Sequence, residues 1–169
     1  MNASEFGVWL SDYDLAGIDA TLPPPKKTIK SVMTCDFIVC SNLVRSLESA
    51  TLLNIPPHKI CAKFREFETP YALWKRPALP ITVWIWVFRL LQLTGYSRYS
   101  ESYAHAKKRS EACANQLIEL AKTHGRVVFV GHGLLNFCMH KYLLKKGWKG
   151  PQKSLKKYWS VGEYFYGEI

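Results

Sequence analysis

Apolar residues recur along this chain with two periods, one near 3.6 and one that is an unbroken short run. Ser4 followed by Glu5-Phe6-Gly7-Val8-Trp9-Leu10 predicts a capped helix start running to about Asp14. Leu22-Pro23-Pro24-Pro25-Lys26-Lys27 predicts a loop, because prolines continue neither a helix nor a sheet ladder. Asp36-Phe37-Ile38-Val39-Cys40 is a compact run of β-branched and aromatic residues, the pattern of a buried strand. Ser41-Asn42 then supplies a turn and an N-cap. Leu43, Val44, Leu47, Ala50 and Leu53 follow at helical spacing up to Asn54, and Pro56-Pro57 stops that helix.

Lys59 to Phe64 reads as a second short strand, and Phe67 to Pro80 as irregular, with Pro70, Pro77 and Pro80. Ser102 to Thr123 is rich in Ala, Glu, Lys and Leu, with Gly125 just past its end, which predicts a helix. Arg126 to Val130 predicts a strand, followed by Gly131-His132-Gly133. Leu134 to Lys146 predicts a helix that Gly147 ends, and Tyr158 to Tyr166 a final strand. Strands alternating with helices imply an α/β fold with a sheet that is at least partly parallel.

Ile81 to Leu93, ITVWIWVFRLLQL, needs a membrane test. It is short of the roughly 20 apolar residues a spanning helix requires. Pro80 precedes it, Arg89 and Gln92 interrupt it, and Gly95 ends it. A buried or partly exposed helix is expected. The alternative is an interfacial segment, since Trp84 and Trp86 in a basic protein suit a membrane surface.

The chain has 169 residues and a net charge of +10, with 48% apolar residues, so it is globular rather than disordered. Its length makes a single domain over residues 1–169 the expectation. The 5 cysteines (Cys35, Cys40, Cys61, Cys113 and Cys138) form no C-x-x-C and no zinc-ligand spacing. They read as small buried hydrophobes of a reducing, cytoplasmic compartment. No metal or other cofactor is expected. Residues 1–5 lack the basic start of a secretory leader.

Two strand ends look alike. FIVC runs into Ser41-Asn42-Leu43-Val44-Arg45, and VVFV into Gly131-His132-Gly133, each opening a helix. Ligands of α/β sheets bind at the carboxyl ends of strands, and a helix N-terminus offers N–H groups and a positive dipole end to an anion. A guanidinium such as that of Arg45 forks onto phosphate, and an imidazole such as that of His132 donates to a phosphoryl oxygen or exchanges a proton near neutral pH. The glycines beside His132 suggest close backbone approach. A phosphate or carboxylate site at this edge is expected. Taken singly, Arg45 also reads as a solvated helix residue, His132 as a turn histidine, and Glu66 and Glu68 as surface charges.

SNLVRSLESATLL, FREFETP and VVFVGHGLLN together resemble the histidine phosphatase (phosphoglycerate mutase-like) superfamily, over most of the chain from about Ser4 to YWSVGEYFY. The resemblance implies a three-layer α/β/α fold with a mostly parallel sheet. It also implies a pocket in which a histidine nucleophile takes a phosphoryl group, two arginines and a second histidine hold the oxygens, and a carboxylic acid protonates the leaving group. Arg45 matches the second arginine and His132 the second histidine, with Gly133 beside it as a phosphate contact. Glu66 matches the acid, with Glu68 as the other candidate.

One part of the family pattern is missing. The family opens with a strand ending in Arg-His-Gly, which supplies the nucleophile and the first arginine, and no Arg-His-Gly occurs in residues 1–169. Three explanations stand side by side: a start codon assigned too far downstream, a shortened chain, or a pseudoenzyme. In the family that first strand lies inside the sheet, so its loss is expected to leave two strands with unpaired N–H and C=O groups. Without the nucleophile, covalent phosphoryl transfer has no acceptor.

Lys141, Lys145, Lys146, Lys149, Lys153, Lys156 and Lys157 crowd the C-terminal part. They read as a solvated face or as a field that steers an anionic substrate; nucleic acid is not the expected partner, since no recognition motif accompanies them. The expected partner is a small phosphorylated substrate or a phosphoprotein. The competing readings are a non-catalytic phosphate-binding scaffold and an α/β-hydrolase-like esterase. The latter is disfavoured because His132, not Ser or Cys, occupies the elbow.

Overall fold

The computed structural model of the chain describes residues 1–154 and 157–167. They form two compact units, one of residues 1–16 and 67–108, the other of residues 17–66 and 109–169.

In the first unit, helix α1 (Ala3–Leu15) starts one residue earlier than Ser4 because Asn2 is the cap. Asn2 Oδ1 accepts from Glu5 N–H at 3.0 Å, and Glu5 Oε2 accepts from Asn2 N–H at 2.8 Å. This reciprocal pair satisfies two donors that an uncapped helix would leave to water. Residues 81–93 form helix α4 (Ile81–Leu93, numbered here in chain order), as the pattern predicts. Ala3, Phe6, Ala72, Trp84 and Phe88 make the unit's core. The Phe6 and Phe88 rings lie 5.6 Å apart and those of Trp84 and Phe88 5.4 Å apart. Buried Gln92 is fully engaged: its amide donates to the carbonyls of Glu68 and Glu101, and its oxygen accepts from Arg89.

The second unit holds a three-stranded sheet of β1 (Phe37–Cys40), β2 (Lys59–Ile60) and β3 (Val127–Val130), in the order β2-β1-β3 with both pairings parallel. Helix α2 (Lys26–Val32) precedes β1, helix α3 (Val44–Leu52) follows it, and helix α6 (Gly133–Lys145) follows β3. Helix α5 (Tyr103–His124) begins in the first unit and ends in the second. Val32, Ile38, Cys40, Ala50, Leu53 and Ile55 form the core on one side of the sheet. This is a mixed α/β architecture around a small parallel sheet.

Several expectations are corrected. The run 59–64 is a strand only over Lys59–Ile60. It then tightens into a 3₁₀ turn (Ala62–Phe64) that buries Phe64 against Phe129, with ring centroids 4.9 Å apart. The predicted loop ends early, because Pro25 is the N-cap of α2. Leu43, not Ser41 or Asn42, caps α3. No strand forms over 158–166: Trp159 takes φ +60, a left-handed conformation that breaks an extended run, and only Phe165 pairs, antiparallel, with Lys149. β1 and β3 pair directly along their whole length, Phe37 with Val127 through Cys40 with Val130, so β1 is hydrogen-bonded on both sides. Among the described residues, no strand pairs with the far side of β3.

Candidate active site at the β1 and β3 ends

Direct pairing of β1 with β3 brings their carboxyl ends level. Cys40 is opposite Val130, so the turns that follow them lie side by side. Ser41 and His132, both buried, meet there: Ser41 Oγ is 2.7 Å from His132 Nε2. Ser41 Oγ also accepts from Leu43 N–H at 3.2 Å, which bends the chain into α3. Ser46, one turn into that helix, is buried too. Its hydroxyl donates to the Val130 carbonyl at 2.7 Å and accepts from Ser41 N–H at 3.2 Å. Two serines therefore tie one junction to the other through bonds that buried polar groups require.

Arg45 occupies the first turn of α3, half-buried. A cation there opposes the helix dipole, so its position is not set by helix stability. His132 is the N-cap residue of α6, in extended conformation with φ −127 and ψ 157. Gly131 answers to the close-approach expectation: a Cβ built on it would collide with the Phe129 ring and lie 2.5 Å from Asn136 Oδ1. Gly133 does not, since a Cβ there would meet only Glu66 Oε2, at 3.5 Å.

Glu66 is brought to this same place. Its Oε2 accepts from Leu134 N–H and its Oε1 from Leu135 N–H, each at 3.0 Å. The first turn of α6 thus has an anion, but it is the protein's own carboxylate, and the N–H pair expected for an external anion is already engaged. Arg109 holds the segment that carries Glu66. Its guanidinium donates to the carbonyls of Lys63, Arg65 and Glu66 at 2.7, 2.8 and 3.4 Å. Glu68 is employed elsewhere: its Oε2 accepts from Glu101 N–H at 2.7 Å in the first unit.

Four residues at this edge carry no signal in the spacing. Ser41 reads as a turn residue, Ser46 as an ordinary helix residue, and Arg109 as one of many cations on α5. Arg65 Nε donates to Asn42 Oδ1 at 2.6 Å, which sets a second guanidinium beside the β1–α3 turn. Of the lysine-rich stretch, Lys141 lies over the Phe137 ring at 4.3 Å and Lys146 over Tyr142 at 5.5 Å, while Lys156 lies outside the described residues. All five cysteines are free thiols, and burial raises the pKa of Cys40 above its ordinary value, with Ser46 opposing this by hydrogen bonding. Among the described residues, no group of three or more His, Cys, Asp or Glu is placed to hold a metal ion, and no helix is long and apolar enough to cross a membrane.

No curated protein matches this chain. Solved structures do. The product of open reading frame Rv3214 from Mycobacterium tuberculosis superposes with a TM-score of 0.53 at 15% identity, covering 80% of this chain and 74% of that one. The mycobacterial glucosyl-3-phosphoglycerate phosphatase Rv2419c gives 0.48 at 18% identity, covering 70% of this chain and 63% of that one. The former likeness is one of fold. The model of the histidine phosphatase superfamily (branch 1) matches residues 26–163, most of the sequence, and the chain belongs to that superfamily.

Proposed function

We propose that this chain is a phosphatase of the superfamily, acting on a phosphate monoester or a phosphohistidine, and that residues 1–169 belong to one such domain working in a reducing, cytoplasmic compartment. The observation that carries the reading is the meeting of three elements at one sheet edge. The Ser41–His132 bond joins the β1 and β3 ends, Arg45 lies in the first turn of the helix after β1, and the Glu66 carboxylate accepts from the first turn of the helix after β3. In this reading Arg45, His132 and Gly133 receive the phosphoryl oxygens, and Glu66 gives a proton to the leaving oxygen as the P–O bond breaks.

The covalent step needs an imidazole nitrogen to attack phosphorus, and the Arg-His-Gly that would supply it does not occur in these 169 residues. The chain as given therefore binds oxyanions with negligible turnover. The test has two arms. Tungstate or inorganic phosphate binds the chain, and binding is lost in His132→Ala and Arg45→Ala. Fusing upstream sequence that encodes Arg-His-Gly gives hydrolysis of an aryl phosphate. Tungstate bound away from both side chains would refute the site, and aryl phosphate turnover by the unextended chain would refute the need for the missing motif. Oxyanion binding with no turnover after the fusion would favour the second reading, a phosphate-binding scaffold, which the same missing motif supports.

A further inference from the structure

The second unit holds a cavity of about 310 Å³ that the strand ends do not line. Its walls are Phe137, His140 and Lys141 of α6 and Gln152, Lys153 and Ser154 of the segment that follows. That volume is at the small end of ligand sites, which run from roughly 300 to 1,000 Å³. On α6 these residues begin more than one turn past His132, roughly 7–14 Å down the axis at about 1.5 Å per residue.

His140 brings an unused ring nitrogen here. The residue is only 5% exposed. Its Nδ1 is 2.9 Å from the Tyr164 hydroxyl, and among the described residues its Nε2 makes no hydrogen bond. No fully buried side-chain nitrogen or oxygen among them lacks a partner, so Nε2 is open, and the cavity that His140 lines is where it opens. Burial, with a smaller contribution from Lys141, lowers the pKa of the ring and keeps it neutral at pH 7. When the Tyr164 O–H donates to Nδ1, Nε2 carries the hydrogen and offers it to the cavity.

The rest of the polar lining donates as well. Lys141 and Lys153 bring two ammonium groups, Ser154 a hydroxyl and Gln152 an amide, and no carboxylate lines the cavity. Residues 120–162 contain no Asp or Glu, and the Glu163 carboxylate accepts from Ser31 Oγ at 2.9 Å. The Lys141 ammonium lies over the Phe137 ring at 4.3 Å, so charge and a flat apolar surface are presented together.

We propose that this cavity binds a phosphate monoester with a flat apolar body, at a site separate from the candidate active site. A phosphate carries a charge of about −2 near pH 7 and three acceptor oxygens, which two ammonium groups and an imidazole N–H match. The Phe137 ring packs against the apolar body. The site binds; no bond is made or broken in it.

The test is calorimetric titration of the full 169-residue chain carrying Arg45→Ala, which disables the oxyanion site at the strand ends. We expect phenyl phosphate to bind with one equivalent, about tenfold tighter than phenol and about fivefold tighter than inorganic phosphate, and to shift the His140 ring signals in the NMR spectrum. Adding Lys141→Met and Lys153→Met, both at exposed positions, should weaken phenyl phosphate about tenfold with an unchanged melting temperature. No binding, unmoved His140 signals, or full affinity in the lysine variant would overturn the proposal. Phenol binding as tightly would overturn it in favour of a merely apolar hole, and inorganic phosphate binding as tightly in favour of a bare ion site. Each of these results leaves the strand-end site to its own test, since tungstate binding to the chain with Arg45 intact reads that site separately.

Discussion

Ser41 Oγ and His132 Nε2, 2.7 Å apart, join the ends of two neighbouring parallel strands through one short buried bond. The serine is itself fixed by Leu43 N–H and Ser46 Oγ, so the imidazole is oriented by a group that cannot easily turn away. Ser41→Ala leaves the ring without that restraint. We expect tungstate or phosphate affinity to fall about fivefold, alongside a stability loss of about 1 kcal/mol. Titration calorimetry and urea unfolding on the same samples check the pair; unchanged affinity with lowered stability would assign Ser41 a purely structural part.

Glu66 has two separable duties. As the anion on α6 it satisfies Leu134 and Leu135 N–H, and Glu66→Ala should cost about 1 kcal/mol in chemical unfolding, as loss of a helix cap does. Glu66→Gln keeps an acceptor oxygen but gives up the acid. In a chain extended with Arg-His-Gly, we expect that variant to lower kcat about a hundredfold while phosphate affinity holds. Steady-state assays on a poor leaving group would show the loss, and a leaving group that needs no proton should rescue it.

The two glycines beside His132 should differ. At Gly131 a methyl meets Phe129 and Asn136 well inside contact distance, so Gly131→Ala is expected to cost about 1–3 kcal/mol. At Gly133 the nearest atom leaves ordinary room, and alanine suits a first helical turn, so Gly133→Ala should stay within about 0.5 kcal/mol of the parent. Thermal denaturation of the two variants decides.

His140 introduces a pH dependence. Its Nδ1 is 2.9 Å from the Tyr164 hydroxyl, and burial, with a smaller contribution from Lys141, lowers its pKa below the ordinary value. Below about pH 6.5 the unfolded chain binds a proton here that the folded chain refuses. Stability from this group is therefore complete above that pH and falls as the solution is acidified through the folded-state pKa. The urea midpoint should drop between about pH 8 and pH 5.5, and His140→Gln, which has no proton to take up, should narrow the drop.

What the sequence made legible follows from how local each cause is. FIVC and VVFV announce β1 and β3 because unbroken apolar runs dominated by β-branched and aromatic residues suit a strand, and Gly125 and Gly147 mark helix ends by taking φ +85. α2 was hidden because three prolines read as a loop, although Pro25 caps a helix. The strand expected at 158–166 fails for a distant reason: the Trp159 carbonyl accepts from Thr28 Oγ1 and its indole donates to Leu22. The superfamily resemblance singled out Arg45, Glu66 and His132. That Ser41 bonds His132, that Arg109 clamps the Glu66 segment, and that Glu66 lands on α6 all depend on chain pairing, to which local spacing is blind.

The free flank of β3 has a mechanical implication. β1 and β3 hold each other through four paired positions, and among the described residues nothing is paired on the other side of β3. A polypeptide bringing Arg-His-Gly that lay along that flank would add a strand about 4.8 Å from β3 without breaking a bond already made. Competence for phosphoryl transfer would then be gained by completing an edge, with the exposed N–H and C=O groups of β3 as the template.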